Sequence, residues 1–232
     1  MSSQLPLALR WPAQQRFDGF VAGDNSHALA VLRQASQESL TPWVFLAGAP
    51  GCGKTHLLLS ACSEAAMQGR GAQYLPLAKL DDNRGAAIRA FGGSDLLALD
   101  DLDAIVGDST AQHALFDLYN RARAEASTLL FSAKRSPAQL DLSLPDLVSR
   151  LSSCTQVLLK PLDEHTRREA VRLRARARGL ELDDAVLDWL FAHAPRDLGA
   201  LTALIERMDR ESLAAKRRIT VPFLRAMLKA GM

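Results

Sequence analysis

"WVFLAGAPGCGKTHLL", residues 43–58, reads as a buried strand, a glycine-rich turn and the opening of a helix. Trp43 to Ala47 is an apolar run of strand length, and "THLLLSACSEAAMQG" from Thr55 has apolar residues at helical spacing. Between them "GAPGCGKT", Gly48 to Thr55, matches G-x-x-x-x-G-K-[ST]. Each position in that spacing has a physical task. The glycines let backbone N–H groups curl around phosphate oxygens, the lysine reaches the outer phosphates, and the hydroxyl at the helix N-terminus ligates Mg²⁺. Gly48, Pro50, Gly51, Gly53, Lys54, Thr55 and His56 are therefore candidate phosphate-site residues, with Cys52 filling a free position of the loop.

Working outward, four further apolar runs have strand character: "AQYLPL" 72–77, "DLLALD" 95–100, "TLLFSA" 128–133 and "TQVLLK" 155–160. Segments of helical periodicity such as "AQHALFDLYNRARAEA" from Ala111 separate them. Strands alternating with helices predict a five-stranded parallel sheet covered on both faces, an α/β fold. After Pro161 the pattern is helical throughout, with boundaries at Gly179, Pro195 and Thr220 to Pro222. The expected organisation is an N-terminal arm over 1–12, an α/β domain over 13–161 and a small all-helical domain over 162–232.

Composition narrows the classes. A chain of 232 residues, 48% hydrophobic, has ample material for a core, and a net charge of +2 gives no general pull toward nucleic acid or membrane. Charges interrupt every apolar run before the roughly 18 residues that a membrane helix needs. The opening segment has no basic residue ahead of its apolar run and contains Pro6, so it is not read as a secretion signal. Cys52, Cys62 and Cys154 are odd in number and far apart, which argues against a disulfide framework or zinc site and for a cytoplasmic location. The five histidines have no metal spacing.

"LLALDD" is a strand ending in paired carboxylates. An acidic residue at the C-terminal edge of a strand beside the phosphate loop holds Mg²⁺, the role given to Asp100 alongside Thr55. Asp101 stands where a carboxylate polarises an attacking water or, equally, caps the following turn, and Asp103 is read as such a cap. The arginines of "RREAVRLRARARG", at 167, 168, 172, 174, 176 and 178, are read as a solvated helix face, with Val171, Leu173 and Ala177 toward the core.

These elements, with "FDGFVAGDNSHAL" (17–29), "FDLYNRARA" (116–124), "LPDLVSRL" (144–151) and "RITVPFLRAMLK" (218–229), resemble the DnaA-related family of AAA+ P-loop ATPases over nearly the whole chain. Within it they are most similar to the Hda branch, the regulatory inactivators of DnaA. The resemblance implies an AAA+ domain followed by a lid. It implies that Phe17 to Asn25 line the adenine side, and that Arg150 is an arginine finger acting on a neighbouring subunit's nucleotide. Arg196 would be the lid's phosphate-sensing arginine, and Ser132 would take the place of a polar γ-phosphate sensor. The family's "TSD" or "TGD" is here "SAK"; Lys134 reverses a charge and leaves independent ATP hydrolysis open. The initiator's DNA-binding domain is not expected.

"QLPLAL", residues 4–9, is an apolar segment near the terminus. Its alternating Leu5, Leu7 and Leu9, with Gln4 as an orienting amide, suit an extended peptide seated in pockets; the other reading is a strand folded back on the sheet. The segment is similar to a sliding-clamp-binding motif, with Pro6 and Ala8 departing from the Hda form. The expected function is negative regulation of chromosomal replication initiation. The protein would be tethered to the DNA-loaded clamp (the DNA polymerase III β subunit), reach DNA only through it, and promote hydrolysis of DnaA-bound ATP. ADP or ATP with Mg²⁺ is the expected cofactor, ADP being the one the resemblance favours, and self-association is left open. The rivals are an independent helicase-loader-type ATPase and a nucleotide-stabilised adaptor without turnover.

Overall fold

The computed structural model describes residue 11 and residues 15–38, 41–193, 198–215 and 219–229. Within them five strands, β1 (Val44–Gly48), β2 (Ala72–Pro76), β3 (Leu96–Asp100), β4 (Thr128–Ala133) and β5 (Thr155–Leu159), form one parallel sheet in the order β2-β3-β4-β1-β5. The helices are α1 (Ser26–Gln37), α2 (Lys54–Met67), α3 (Arg84–Ala90), α4 (Ser109–Ala124), α5 (Pro145–Ser152), α6 (Glu164–Arg176), α7 (Asp184–His193), α8 (Leu198–Ala215) and α9 (Val221–Lys229). Every strand falls on a run marked out in the sequence.

Strand alternation sends successive side chains to opposite faces. Phe45, Leu97, Leu99, Leu129 and Phe131 pack under α3, α4 and α5 through Ile88, Leu115, Leu118, Leu147 and Leu151. Val44, Leu46, Leu96, Ala98, Leu130 and Val157 pack under α1 and α2 through Leu32, Leu57, Leu58 and Cys62. Strands β1, β3 and β4 are buried on both faces, which is why they read as unbroken apolar runs. Pro76 ends the half-buried edge strand β2, where a missing N–H costs no ladder bond.

Charged and polar side chains finish the helix ends. Asp108 and Asp163 cap α4 and α6 by accepting from the backbone N–H groups of Ala111, 2.9 Å, and Thr166, 2.7 Å. Arg70 donates to the carbonyls of Ala35 and Ser36 in the last turn of α1, where the helix dipole favours a cation. The helices α6 to α9 bury a third core of Val171, Leu187, Leu190, Leu201, Ile205, Met208 and Leu224. Val21 and Leu162 pack against that core from the segments beside the sheet. Among the described residues no helix is long and apolar enough to cross a membrane.

Candidate functional site

The loop from Gly48 to Gly53 joins the end of β1 to the start of α2 at the C-terminal edge of the sheet. Two glycines are required there. A Cβ on Gly48 would stand 2.8 Å from Cys52 Sγ and 2.9 Å from Leu159 O. Gly53 has φ +100° and presses on the ring of Phe20, which a Cβ would approach to 2.7 Å. Lys54, 6% exposed, bends back over the loop and donates to the carbonyls of Gly48 at 2.6 Å and Ala49 at 3.0 Å. Cys52 is buried beneath, and desolvation holds its thiol pKa above the ordinary range despite the Lys54 ammonium nearby.

Behind the loop Asp100, 1% exposed, is the acceptor of three hydroxyls. Its Oδ2 accepts from Thr55 Oγ1 at 2.6 Å and from the Tyr74 hydroxyl at 2.7 Å, and its Oδ1 accepts from Ser132 Oγ. Ser132 Oγ in turn accepts from the Asp101 backbone N–H at 3.0 Å. Burial first, and then the Asp100 charge, push the Tyr74 phenol far above its ordinary pKa, so it stays protonated and donates. Tyr74 was not singled out in the sequence. The signal lay in register: Tyr74 pairs with Ala98, two residues before Asp100 and on the same face.

Asp101 adopts φ +61° in the left-handed region and its side chain makes no capping bond, so it reaches into the cleft rather than closing the turn. Burial, followed by Asp100, raises its pKa, while Lys54 and Lys134 act the other way. Asp103 does not cap its own turn either. Its Oδ2 accepts from the Lys134 backbone N–H at 2.8 Å, fixing the end of β4 beside the loop after β3.

A cavity of about 680 Å³ lies between this edge and the helices beyond Pro161. Pro50, Gly51, Gly53, Lys54, Thr55, His56, Asp101 and Lys134 line one side; Leu173, Arg174, Ala177 and Arg178 of α6, with Thr202 and Glu206 of α8, line the other. Gly48, Cys52, Asp100 and Ser132 lie outside that lining, and the last two act from behind through Thr55 and Asp101. Of the segment 17–25, Gly19 faces the cavity, whereas Phe17 is core and Asn25 pairs through both side-chain atoms with the backbone of Lys160, at 2.8 and 2.9 Å. His56 Nε2 is 3.0 Å from Arg16 O and its ring sits 5.6 Å from that of Phe20; burial, with a smaller contribution from the Arg174 charge, lowers its pKa.

The arginine-rich helix departs from expectation. Its core residues are Ala170, Val171 and Ala175, while Leu173 and Ala177 are exposed and turned to the cavity. The arginines are not a free solvated face: Arg168 pairs with Asp188 and Glu164, Arg172 with Asp184, and Arg178 with Glu206. Acidic residues of α7 and α8 that lie across the interhelical groove, not visible from α6 alone, redirect them.

Arg150, on α5, lies outside the cavity lining. Its guanidinium donates to Asn120 Oδ1 and sits 4.3 Å from the Phe116 ring centroid and 5.2 Å from that of Tyr119. Gln4, Leu5, Leu7, Leu9 and Arg196 fall outside the described residues.

A five-stranded parallel sheet in this order, a G-x-x-x-x-G-K-[ST] loop backed by a strand-terminal carboxylate, and a helical lid over the cleft define an AAA+ P-loop protein. The family model for the bacterial DnaA ATPase domain matches residues 12–157 and that for the Hda lid domain matches residues 163–228, so the chain belongs to the DnaA-related AAA+ family, with an Hda-type lid. Among solved structures, domain III of the Thermotoga maritima replication initiation protein DnaA is similar over 95% of this chain and 98% of its own, with TM-score 0.79 and 24% identity. A replication initiator DnaA bound to AMPPCP and single-stranded DNA gives TM-score 0.69 at 24% identity over 85% of this chain and 65% of its own. AMPPCP-bound DnaA from Aquifex aeolicus gives 0.67 at 23% identity, over 88% and 71%.

Proposed function

We propose that the protein is a nucleotide-bound regulator of replication initiation that promotes hydrolysis of ATP on DnaA and is brought to its target by the sliding clamp. The observation that carries the reading is the pairing of a complete phosphate loop with a separate arginine, Arg150, seated away from that loop on α5. A guanidinium that acts on a neighbour's nucleotide must stand away from its own cleft, a condition Arg150 meets, and the finger role itself is what the family resemblance implies.

The residues fit a nucleoside polyphosphate with Mg²⁺. Gly51 and Gly53 at positive φ, Lys54, and the N-terminus of α2 suit the phosphates, and Thr55 with Asp100 behind it suits a hydrated cation. Among the described residues no three His, Cys, Asp or Glu side chains group as a metal cage, so the cation would depend on phosphate oxygens and water as well as on Thr55. The bound cation would supply charge neutralisation between phosphates. Relatives that hold AMPPCP support an adenine nucleotide.

Lys134, lining the cleft where the family resemblance implies an acidic residue, favours weak turnover of the protein's own nucleotide, because the reversed charge alters how an attacking water would be held. The nucleotide then acts chiefly to hold lid and sheet together. Gln4, Leu5, Leu7 and Leu9 would bind the clamp, so that DNA is approached only through it.

Two binding measurements test these parts separately. Lys54→Ala should abolish binding of fluorescent ADP, and Gln4→Ala with Leu5→Ala should abolish clamp capture while leaving ADP affinity intact. Undiminished ADP binding in the first variant, or clamp affinity in the second, contradicts the corresponding part.

A further inference from the structure

The lid wall of the cleft carries a cation that the phosphate loop does not account for. Arg174 lines the cavity from α6, and Lys54 lines it from the opposite wall. Its neighbour Arg178 is compensated by Glu206 at 2.8 Å and Asp209 at 4.0 Å. Arg174 instead donates from Nη1 to the neutral hydroxyl of Thr202, and among the described residues no carboxylate lies within ion-pair distance of it. Burial first, and Arg178 second, work against its charge, with Glu206 opposing them. A guanidinium drawn out of water and held by a neutral group is under-compensated, and an oxyanion entering the cleft removes that deficit. Leu173 beside it, 41% exposed and facing the same cavity, supplies apolar surface that thins the water around such a contact.

We propose that Arg174 is a phosphate-contacting arginine of the lid, gripping the nucleotide from α6 while Lys54 grips it from the loop, distinct from the role expected of Arg196. The inference rests on the nucleotide-binding reading. It makes α6 an element through which the lid reports bound phosphate.

The test is displacement of a fluorescent ADP analogue from the full chain by ADP and by adenosine, for wild type, Lys54→Ala, Arg174→Met and Arg176→Met, with thermal melts alongside. Arg176 is exposed and outside the cavity lining, so its variant is the charge control. Arg174→Met should weaken ADP about tenfold, the scale of one charge-assisted contact, and leave adenosine unchanged, while Arg176→Met matches wild type. Equal losses for ADP and adenosine would mean that Arg174 merely ties α6 to Thr202, and unchanged ADP affinity would mean no contact; either overturns the proposal. Should the Met variant fail to fold, Arg174→Lys takes its place, with a smaller loss expected for ADP alone and the same two overturning results. A wild-type chain that ignores ADP, or a Lys54→Ala chain that binds it as well as wild type, defeats the nucleotide reading itself.

Discussion

Asp100 sits under the sheet edge with three hydroxyls turned toward it, and this sets what each neighbour can tolerate. Ser132 holds two bonds at once, donating to Asp100 and accepting from the Asp101 N–H. Ser132→Ala should therefore destabilise by about 2 kcal/mol, because a buried carboxylate loses a donor and a backbone N–H loses its acceptor; urea denaturation reads this, and a change below about 0.5 kcal/mol, the size of an ordinary surface substitution, would contradict it. Asp101 is strained in the opposite sense. Its φ of +61° strains the backbone, and its raised pKa means that the charged form is disfavoured in the folded state, so the cost of that charge to stability grows as pH rises above the carboxylate range. Asparagine tolerates the same backbone without the charge. Asp101→Asn should raise the melting temperature at neutral pH, and the gain should fade as the pH falls toward the ordinary Asp range of about 4. A gain independent of pH would assign the effect to backbone preference alone.

The turn that follows Asp101 and the helix that bears Arg150 are tied by one buried amide. Gln112 on α4 donates from Nε2 to Ile105 O at 3.0 Å, in the turn that follows Asp101. Its Oε1 accepts from Ser143 N at 2.9 Å and Oγ at 3.0 Å and from Leu144 N at 3.3 Å, at the start of α5 and hence of the helix bearing Arg150. Gln112→Leu keeps the volume but orphans these groups, at about 1–3 kcal/mol, and should speed amide hydrogen exchange at Ser143 and Leu144, just before α5, ahead of α5 itself. Exchange at Ser143 and Leu144 that speeds no more than that of α5 would argue against the tie. The strands were legible in the sequence because those buried on both faces are unbroken apolar runs, and the phosphate loop because its glycines answer a local backbone demand. Leu173 and Ala177 were misread because their surroundings come from α8 and the loop, far along the chain, and the apolar face of α6 takes its direction from them. Tyr74 and Gln112 were missed for the same reason: each is polar, sits inside an otherwise ordinary element, and is defined by a partner whose register only folding supplies.

At the scale of the molecule the lid and the sheet edge make one cleft, and the arginine finger expected from family resemblance occupies a different surface. Arg150 is held by the faces of Phe116 and Tyr119 and by Asn120, which orients a guanidinium without cancelling its charge. That is a posture suited to presenting it to a second nucleotide-bearing subunit. The segment proposed to bind the clamp, Gln4 to Leu9, and Arg196 could be read only as motifs, and they lie outside the described residues. The proposed function requires Arg150 to act in trans. The most direct measurement is the rate of ATP hydrolysis by purified DnaA with DNA-loaded clamp and either this chain or its Arg150→Ala variant. The wild-type chain should accelerate hydrolysis only with clamp and DNA present, and Arg150→Ala should lose that acceleration by a factor on the order of 10³ while still binding clamp and ADP. Acceleration that survives in Arg150→Ala, or none from the wild-type chain, would contradict it.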